Sequence, residues 1–164
     1  MNRRHFLRIT LVGTGLAVIA PYLLASKVMS GEKKGTMMLS DKEWKQKLTP
    51  EQYAILREED TEMPFTSPLL KEHREGTFAC VGCNQLLFLS SKKFDSGTGW
   101  PSFYDAIPGS IGTKTDRKIG QLRTEYHCAR CGGHHGHVFD DGPLPTRLRY
   151  CSNGAALEFI PKKA

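Results

Sequence analysis

Gln121-Leu122-Arg123-Thr124-Glu125-Tyr126-His127-Cys128-Ala129-Arg130-Cys131 is the stretch on which the fold turns. Its first eight residues alternate, placing Leu122, Thr124, Tyr126 and Cys128 on one face and Gln121, Arg123, Glu125 and His127 on the other. A period of two is the mark of a half-buried strand. The strand runs straight into Cys128-x-x-Cys131, and Cys80-x-x-Cys83 stands upstream. A strand that ends in one cysteine knuckle and is answered by another points to a β-structure pinned by a metal.

Each knuckle is interrupted or followed by glycine, at Gly82 and at Gly132-Gly133, so backbone amides can turn toward sulfur. Paired C-x-x-C units supply four soft ligands suited to tetrahedral zinc. The 44 residues between the knuckles exceed the ~15 to 20 of a compact zinc ribbon. The metal is therefore expected to join distant parts of a larger sheet structure. A closed four-thiolate site leaves no position for water or substrate, so one structural Zn2+ is expected. The alternative for the same residues is a pair of disulfides.

Away from the knuckles the periodicity is readable in pieces. Ser40 with Glu43, and Thr49 with Pro50 and Gln52, form successive capping boxes that predict helices over 41–48 and 50–59. From Pro64 to Pro68 helical periodicity is lost, and beyond Gly76 the chain alternates like strands. Residues 147–151 predict a strand with Leu148 and Tyr150 inward and Arg147, Arg149 and Cys151 outward. Asn153-Gly154 reads as a tight turn into a strand over 156–160.

The fifth cysteine is left over. Cys151 can be a small buried hydrophobe, or a reactive thiol whose pKa is lowered by Arg147 and Arg149 on the same face. His134 and His137 read equally as a polar turn, as extra metal ligands or as proton donors.

The net charge of +6 on 164 residues is unevenly placed. Residues 1–34 hold Arg3, Arg4, Arg8, Lys27, Lys33 and Lys34 against Glu32. The other 130 residues, with 17 basic and 16 acidic side chains, are nearly neutral. Phosphate binding needs a basic patch, so no nucleic-acid partner is expected. The uncharged apolar run over 9–25, broken by Gly13, Gly15 and Pro21, is short for a membrane span. Behind Arg3-Arg4-His5-Phe6-Leu7-Arg8 it resembles a twin-arginine export signal over 1–30. That predicts passage through the twin-arginine machinery to a periplasm, with an uncleaved membrane anchor as the alternative. Residues 31–38 read as a linker and 39–164 as the catalytic domain.

Ser96-Gly97-Thr98-Gly99-Trp100-Pro101-Ser102-Phe103, the run Cys131-Gly132-Gly133-His134-His135-Gly136-His137-Val138-Phe139-Asp140-Asp141-Gly142-Pro143, and Arg149-Tyr150-Cys151-Ser152-Asn153 closely resemble the B-type methionine sulfoxide reductases. With the knuckles, the resemblance covers residues 38–161. It implies a mainly β fold, two antiparallel sheets in a tent-like single domain with short N-terminal helices and a structural zinc site. It also implies reduction of methionine-R-sulfoxide, chiefly in oxidised proteins. Carried onto this chain, it makes Cys151 the nucleophile, with His134, His137 and Asn153 around it and Trp100 and Phe139 binding substrate. Many relatives place a resolving cysteine where Thr98 stands. The resemblance therefore implies regeneration by an external thioredoxin-like or small-molecule thiol. His135 replaces the leucine usual between the paired histidines. A monomer is expected. The rival readings are a thiol redox sensor and a zinc-dependent interaction module.

Overall fold

The computed structural model describes residues 36–163. The predicted export signal, and the linker up to residue 35, lie outside the described residues. The last linker residues are anchored: the Thr36 hydroxyl and the Met37 N–H both donate to the carbonyl of Arg130, inside the second knuckle.

Two helices open the described chain, α1 (Asp41–Lys47) and α2 (Pro50–Glu58). Both predicted capping boxes form. Glu43 takes the Ser40 N–H at 2.7 Å and Gln52 takes the Thr49 N–H at 3.1 Å. Such caps contribute about 0.5–2 kcal/mol each, and helices this short need tertiary burial as well. Trp44, Ile55 and Leu56 supply it. Each helix stops one residue before its predicted end. Leu48 is extended (φ −105°, ψ 150°) to reach the next cap, and Glu59 is left-handed (φ 61°).

Nine strands follow: β1 (Gly76–Cys80), β2 (Leu86–Leu89), β3 (Lys93–Phe94), β4 (Ser102–Phe103), β5 (Ile111–Asp116), β6 (Arg123–Cys128), β7 (His134–Phe139), β8 (Arg149–Ser152) and β9 (Leu157–Pro161). They form two antiparallel sheets, ordered β2-β1-β9 and β3-β4-β8-β7-β6-β5. The core is largely aromatic. Phe88 of β2 stacks on Phe103 of β4 at 4.2 Å and 7°, and Phe78 meets Phe103 edge-on at 4.9 Å. Tyr126 of β6 and Tyr150 of β8 cross at 5.5 Å and 90°. Each such pair adds about 0.5–1.5 kcal/mol beyond its buried area, and here most of them tie one sheet to the other.

Two local expectations need correction. Leu122, read on one strand face with Tyr126 and Cys128, lies before β6 begins and is 74% exposed. The β5–β6 ladder ends at Asp116↔Arg123, so nothing covers the residue before it. Arg147 does not share the strand face of Cys151, because it sits in a turn at φ 58° and β8 starts two residues later. Asn153-Gly154 does open a tight turn into β9, as the sequence reads. A 3-10 turn over Gly154–Ala156 carries the chain out of the six-stranded sheet and into the three-stranded one.

Candidate functional site

The knuckle cysteines lie at the ends of β1 and β6 and in the turns that follow, one knuckle on each sheet. All four are buried, and their sulfurs lie within 4.8 Å of one another. Cys80 Sγ stands 3.7 Å from Cys131 Sγ and Cys83 Sγ 3.5 Å from Cys128 Sγ. Those spacings are far from the ~2.05 Å of a disulfide, and the described cysteines are all free. A tetrahedral ion with sulfur ligands at about 2.3 Å would set its sulfurs about 3.8 Å apart. The cluster thus fits a metal, with Gln85 and Cys131 backbone N–H groups turned onto Cys83 and Cys128 sulfur. Arg57 and Arg130 brace the turns through the carbonyls of Cys131 and Cys83.

Cys151 has different surroundings. It is half-buried on β8 and faces a cleft of about 130 Å³, on the scale of one side chain, with Thr61, Trp100, His137, Phe139 and Asn153 among its walls. Burial pushes its thiol pKa up, and the Arg149 guanidinium and the Thr98 hydroxyl, both hydrogen-bonded to the sulfur, only partly oppose this. The lowered pKa expected from neighbouring arginines is therefore not what the site produces at rest. Of the two arginines only Arg149 is present, and Asp141 holds it by two hydrogen bonds at 2.7 and 2.8 Å. That fork neutralises part of its charge while fixing it over the Phe139 ring, 4.3 Å from the centroid.

His134 and His137 are three apart, and on a regular strand they would face opposite sides. A bulge brings them together. Across from β6 the register runs Glu125↔His137 and Tyr126↔Gly136, then slips so that His127 faces His134. One extra residue, His135, is accommodated on β7, which puts both neighbouring histidines on the Glu125 face. Gly136 permits this at φ 151°; a Cβ there would fall 1.9 Å from the Cys151 carbonyl oxygen. The two rings stand 5.5 Å apart.

Each histidine has its own carboxylate. His137, the direct partner of Cys151 across β7 and β8, places Nε2 2.7 Å from Asp116. Asp116 also receives the Lys118 N–H and the Arg123 guanidinium. With His137, these hold its carboxyl well below the usual range, so it is an anion at working pH. Burial lowers the His137 pKa against the pull of Asp116. His134 is fully buried behind the cleft. Its Nδ1 approaches Glu125 at 3.0 Å, off-line for a hydrogen bond but within ion-pair reach. Glu125 is backed in turn by Lys114 at 3.1 Å, and Lys114 by Glu59 at 2.6 Å.

The structure brings Cys151, His137, Asn153, Trp100 and Phe139 to one cleft, while His134 is not among its walls and meets the group at the His137 ring. His135 turns into the core and stacks on Tyr126 at 6.1 Å, so it adds no polarity to the cleft. Asn153 is clamped at both ends: Nδ2 donates to the His135 carbonyl and Oδ1 accepts the Glu62 N–H. Sequence reading missed Asp116, Glu125 and Glu62. Glu62 is the hinge of the whole arrangement. Its carboxylate accepts the Gly154 and Ala155 N–H groups at 2.6 and 2.8 Å, and its carbonyl accepts the Trp100 indole N–H at 3.1 Å. It sits in a segment without periodicity, where no pattern marks it. Asp116 and Glu125 lie on the adjacent strands β5 and β6, opposite Arg123 and Lys114, a signal that becomes visible only once the register is known.

Comparison with known proteins follows the same lines. The SelR domain family matches residues 48–161. The chain is 52% identical over 123 residues to a peptide methionine sulfoxide reductase MsrB of Agrobacterium fabrum, covering 74% of this chain and 91% of that one. It is 53% identical over 121 residues to a peptide methionine sulfoxide reductase MsrB of Leptospira interrogans, covering 73% and 92%. A chloroplastic peptide methionine sulfoxide reductase B1 of Arabidopsis thaliana shares 51% over 132 residues, 80% of this chain and 65% of the plant protein. With the matched segment spanning the cysteine cluster and every wall of the cleft, the chain belongs to the SelR-domain, B-type family of peptide methionine sulfoxide reductases and is an oxidoreductase of methionine sulfoxide.

Proposed function

We propose that the chain reduces methionine-R-sulfoxide, chiefly in proteins, by attack of the Cys151 sulfur on the sulfoxide sulfur. The observation that carries this reading is the placement of a protonated thiol directly across the sheet from a neutral histidine anchored on an anion. A sulfoxide is a poor electrophile until its oxygen is protonated, so the reaction needs a nucleophile and an acid together. The resting pair holds one proton between them. Passing it from Cys151 to His137 creates a thiolate beside an imidazolium, and Asp116 stabilises the cation. The thiolate then forms a bond to the sulfoxide sulfur while the imidazolium protonates oxygen. The hydroxyl shifts from the substrate sulfur to Cys151 Sγ, so that the S–O and the new S–S bonds break as the Sγ–O bond forms; Cys151 is left as a sulfenic acid and methionine departs.

His134, held by Glu125, and Asn153, held by two backbone contacts, act as positioning residues in this scheme. Trp100 and Phe139 offer apolar faces for the substrate's S-methyl group and chain. Regeneration uses an external thiol. One thiol attacks the sulfenic acid and releases water, leaving a mixed disulfide; a second thiol then frees Cys151 and departs as the oxidised disulfide. Thr98 can bind Cys151 but cannot resolve it.

The cysteine cluster is read as a structural zinc site, since four thiolates close the tetrahedron and leave no reactive position. Export by the twin-arginine route to a periplasm completes the reading; its support is the basic, apolar layout of residues 1–30. The test is turnover of both methionine sulfoxide epimers with dithiothreitol, comparing wild type with Cys151→Ser. R-selective activity lost in the variant supports the chemistry. Activity on neither epimer in folded, metal-loaded protein moves a redox sensor or interaction module ahead of it.

A further inference from the structure

Trp100 is a wall of the Cys151 cleft and also of a second cleft of about 330 Å³, whose walls include Phe65, Lys71, His73, Lys93 and Asp95. Phe65 is its unusual member. It is 70% exposed and is the one aromatic among the exposed large apolar side chains of the described residues. It also holds a left-handed backbone (φ 66°), which bulky residues avoid. Two features fix it there: its N–H donates to the Gly99 carbonyl at 2.8 Å, and its ring sits where a Cβ on Gly99 would be, 3.0 Å away. A strained, exposed aromatic locked onto the loop that carries Trp100 gains little for folding. Such outliers point toward a binding role.

We infer that this second cleft receives the polypeptide that flanks the sulfoxide, and that it favours an acidic side chain one or two residues away. The inference rests on the reading of the Cys151 cleft as the sulfoxide site. That cleft holds about one side chain, so the substrate's main chain must lie at its mouth. Two residues of extended chain reach roughly 7 Å, enough to cross one indole. The two clefts share Trp100 as a common wall. The charge lining the second cleft is unequal. Lys93 turns its ammonium onto the Leu70 carbonyl and feels the Asp95 and Glu72 carboxylates, while Lys71 is exposed, so two lysines stand against one lining carboxylate, Asp95, which also accepts the Gly97 N–H. A carboxylate arriving from the substrate meets positive charge, and a lysine meets repulsion.

The experiment compares three substrates: N-acetyl methionine sulfoxide methyl amide, and pentapeptides with central methionine sulfoxide flanked by Glu or by Lys. The proteins are wild type, Phe65→Asn, which tolerates the left-handed backbone, and Lys71→Glu. Wild type is expected to prefer the Glu peptide by about tenfold in kcat/KM. Lys71→Glu should abolish or reverse that preference, and Phe65→Asn should cut peptide turnover several-fold, both leaving the minimal substrate unchanged. Equal losses on peptide and minimal substrate, or no preference between peptides, would overturn the docking. Failure of the minimal substrate in wild type instead removes the proposed chemistry. Labelled-peptide binding to Cys151→Ser protein, read by fluorescence anisotropy in the same series, then decides the docking without turnover: Glu-peptide preference lost in Lys71→Glu upholds it, and equal affinities refute it.

Discussion

Four cysteines of this chain and the fifth carry the same side chain into opposite surroundings. Cys80, Cys83, Cys128 and Cys131 are buried in a cluster where each sulfur has three others for neighbours. Cys151 is half-buried in a cleft, with a threonine hydroxyl and a guanidinium at its sulfur. The cluster sits where two turns from two sheets meet, so its value is architectural. Cys151 sits on a strand flanked on one side by the bulged β7, which turns His134 and His137 to one face, and on the other by the short β4. The contrast teaches that reactivity here comes from having an open side.

The sharpest way to break this contrast is to remove one member of the cluster. Structural metal sites of this type contribute on the order of 10–16 kcal/mol, comparable to or above the 5–15 kcal/mol stability of a typical domain. Cys128→Ser is expected to lose its metal and its cooperative melting transition, measured by metal stoichiometry and circular dichroism. A variant that melts like wild type would show that the cluster is not a fold determinant.

The converse substitution should leave the fold alone. Cys151→Ser is expected to lower kcat/KM for methionine sulfoxide by at least about 10³-fold, with stability changed by no more than ~1 kcal/mol. Substantial residual turnover in that variant would assign the nucleophile elsewhere.

A third measurement separates the two histidine–carboxylate pairs. Asp116→Asn removes the anion that orients His137 and supports its imidazolium; a fall of about 10²-fold in kcat/KM is expected. Glu125→Gln acts on His134, which does not line the cleft, and should cost less. The reverse order would make His134 the proton donor and His137 its support.

These pairs also mark where the sequence stopped being legible. Capping boxes, knuckles and the alternation of β6 are local signals, and they placed α1, α2, the cluster and the core residues Tyr126 and Cys128 correctly. Leu122 and Arg147 were misplaced because alternation continues in the sequence past the point where the ladder ends. The facing of His134 and His137 depends on a bulge, which is a property of two strands rather than one. Asp116 and Glu62 reach the site from residues 21 and 91 positions from their partners, and a single sequence records no such pairing.

His135, the residue the bulge absorbs, gives the smallest effect and the cleanest sign. Its ring is wholly buried, neither nitrogen has a partner, and burial pushes its pKa down to about 3 from 6.5. A group whose folded pKa is depressed stabilises the fold above its unfolded value, and that contribution is lost as pH falls toward the folded value. Here the loss begins near pH 6.5 and proceeds toward pH 3. Within this window each pH unit costs about 1.4 kcal/mol, the worth of one proton. Glu125, Asp141 and Glu59, with pKa values lowered from ordinary carboxylate positions, add to acid unfolding mainly below pH 5. Glu62, whose carboxyl burial pushes up, acts with the opposite sign, so the histidines are what destabilises the fold between pH 6.5 and 5. His135→Leu exchanges an unpartnered polar ring for an apolar side chain, so stability at pH 7 should hold or rise, and the slope between pH 6.5 and 5 should fall by about one proton. Urea melts at pH 7, 6 and 5, with metal content followed in parallel, measure it. An unchanged slope in the variant would mean that His135 is not the proton-linked group, and would leave His137, which is also held neutral by burial, as the residue responsible.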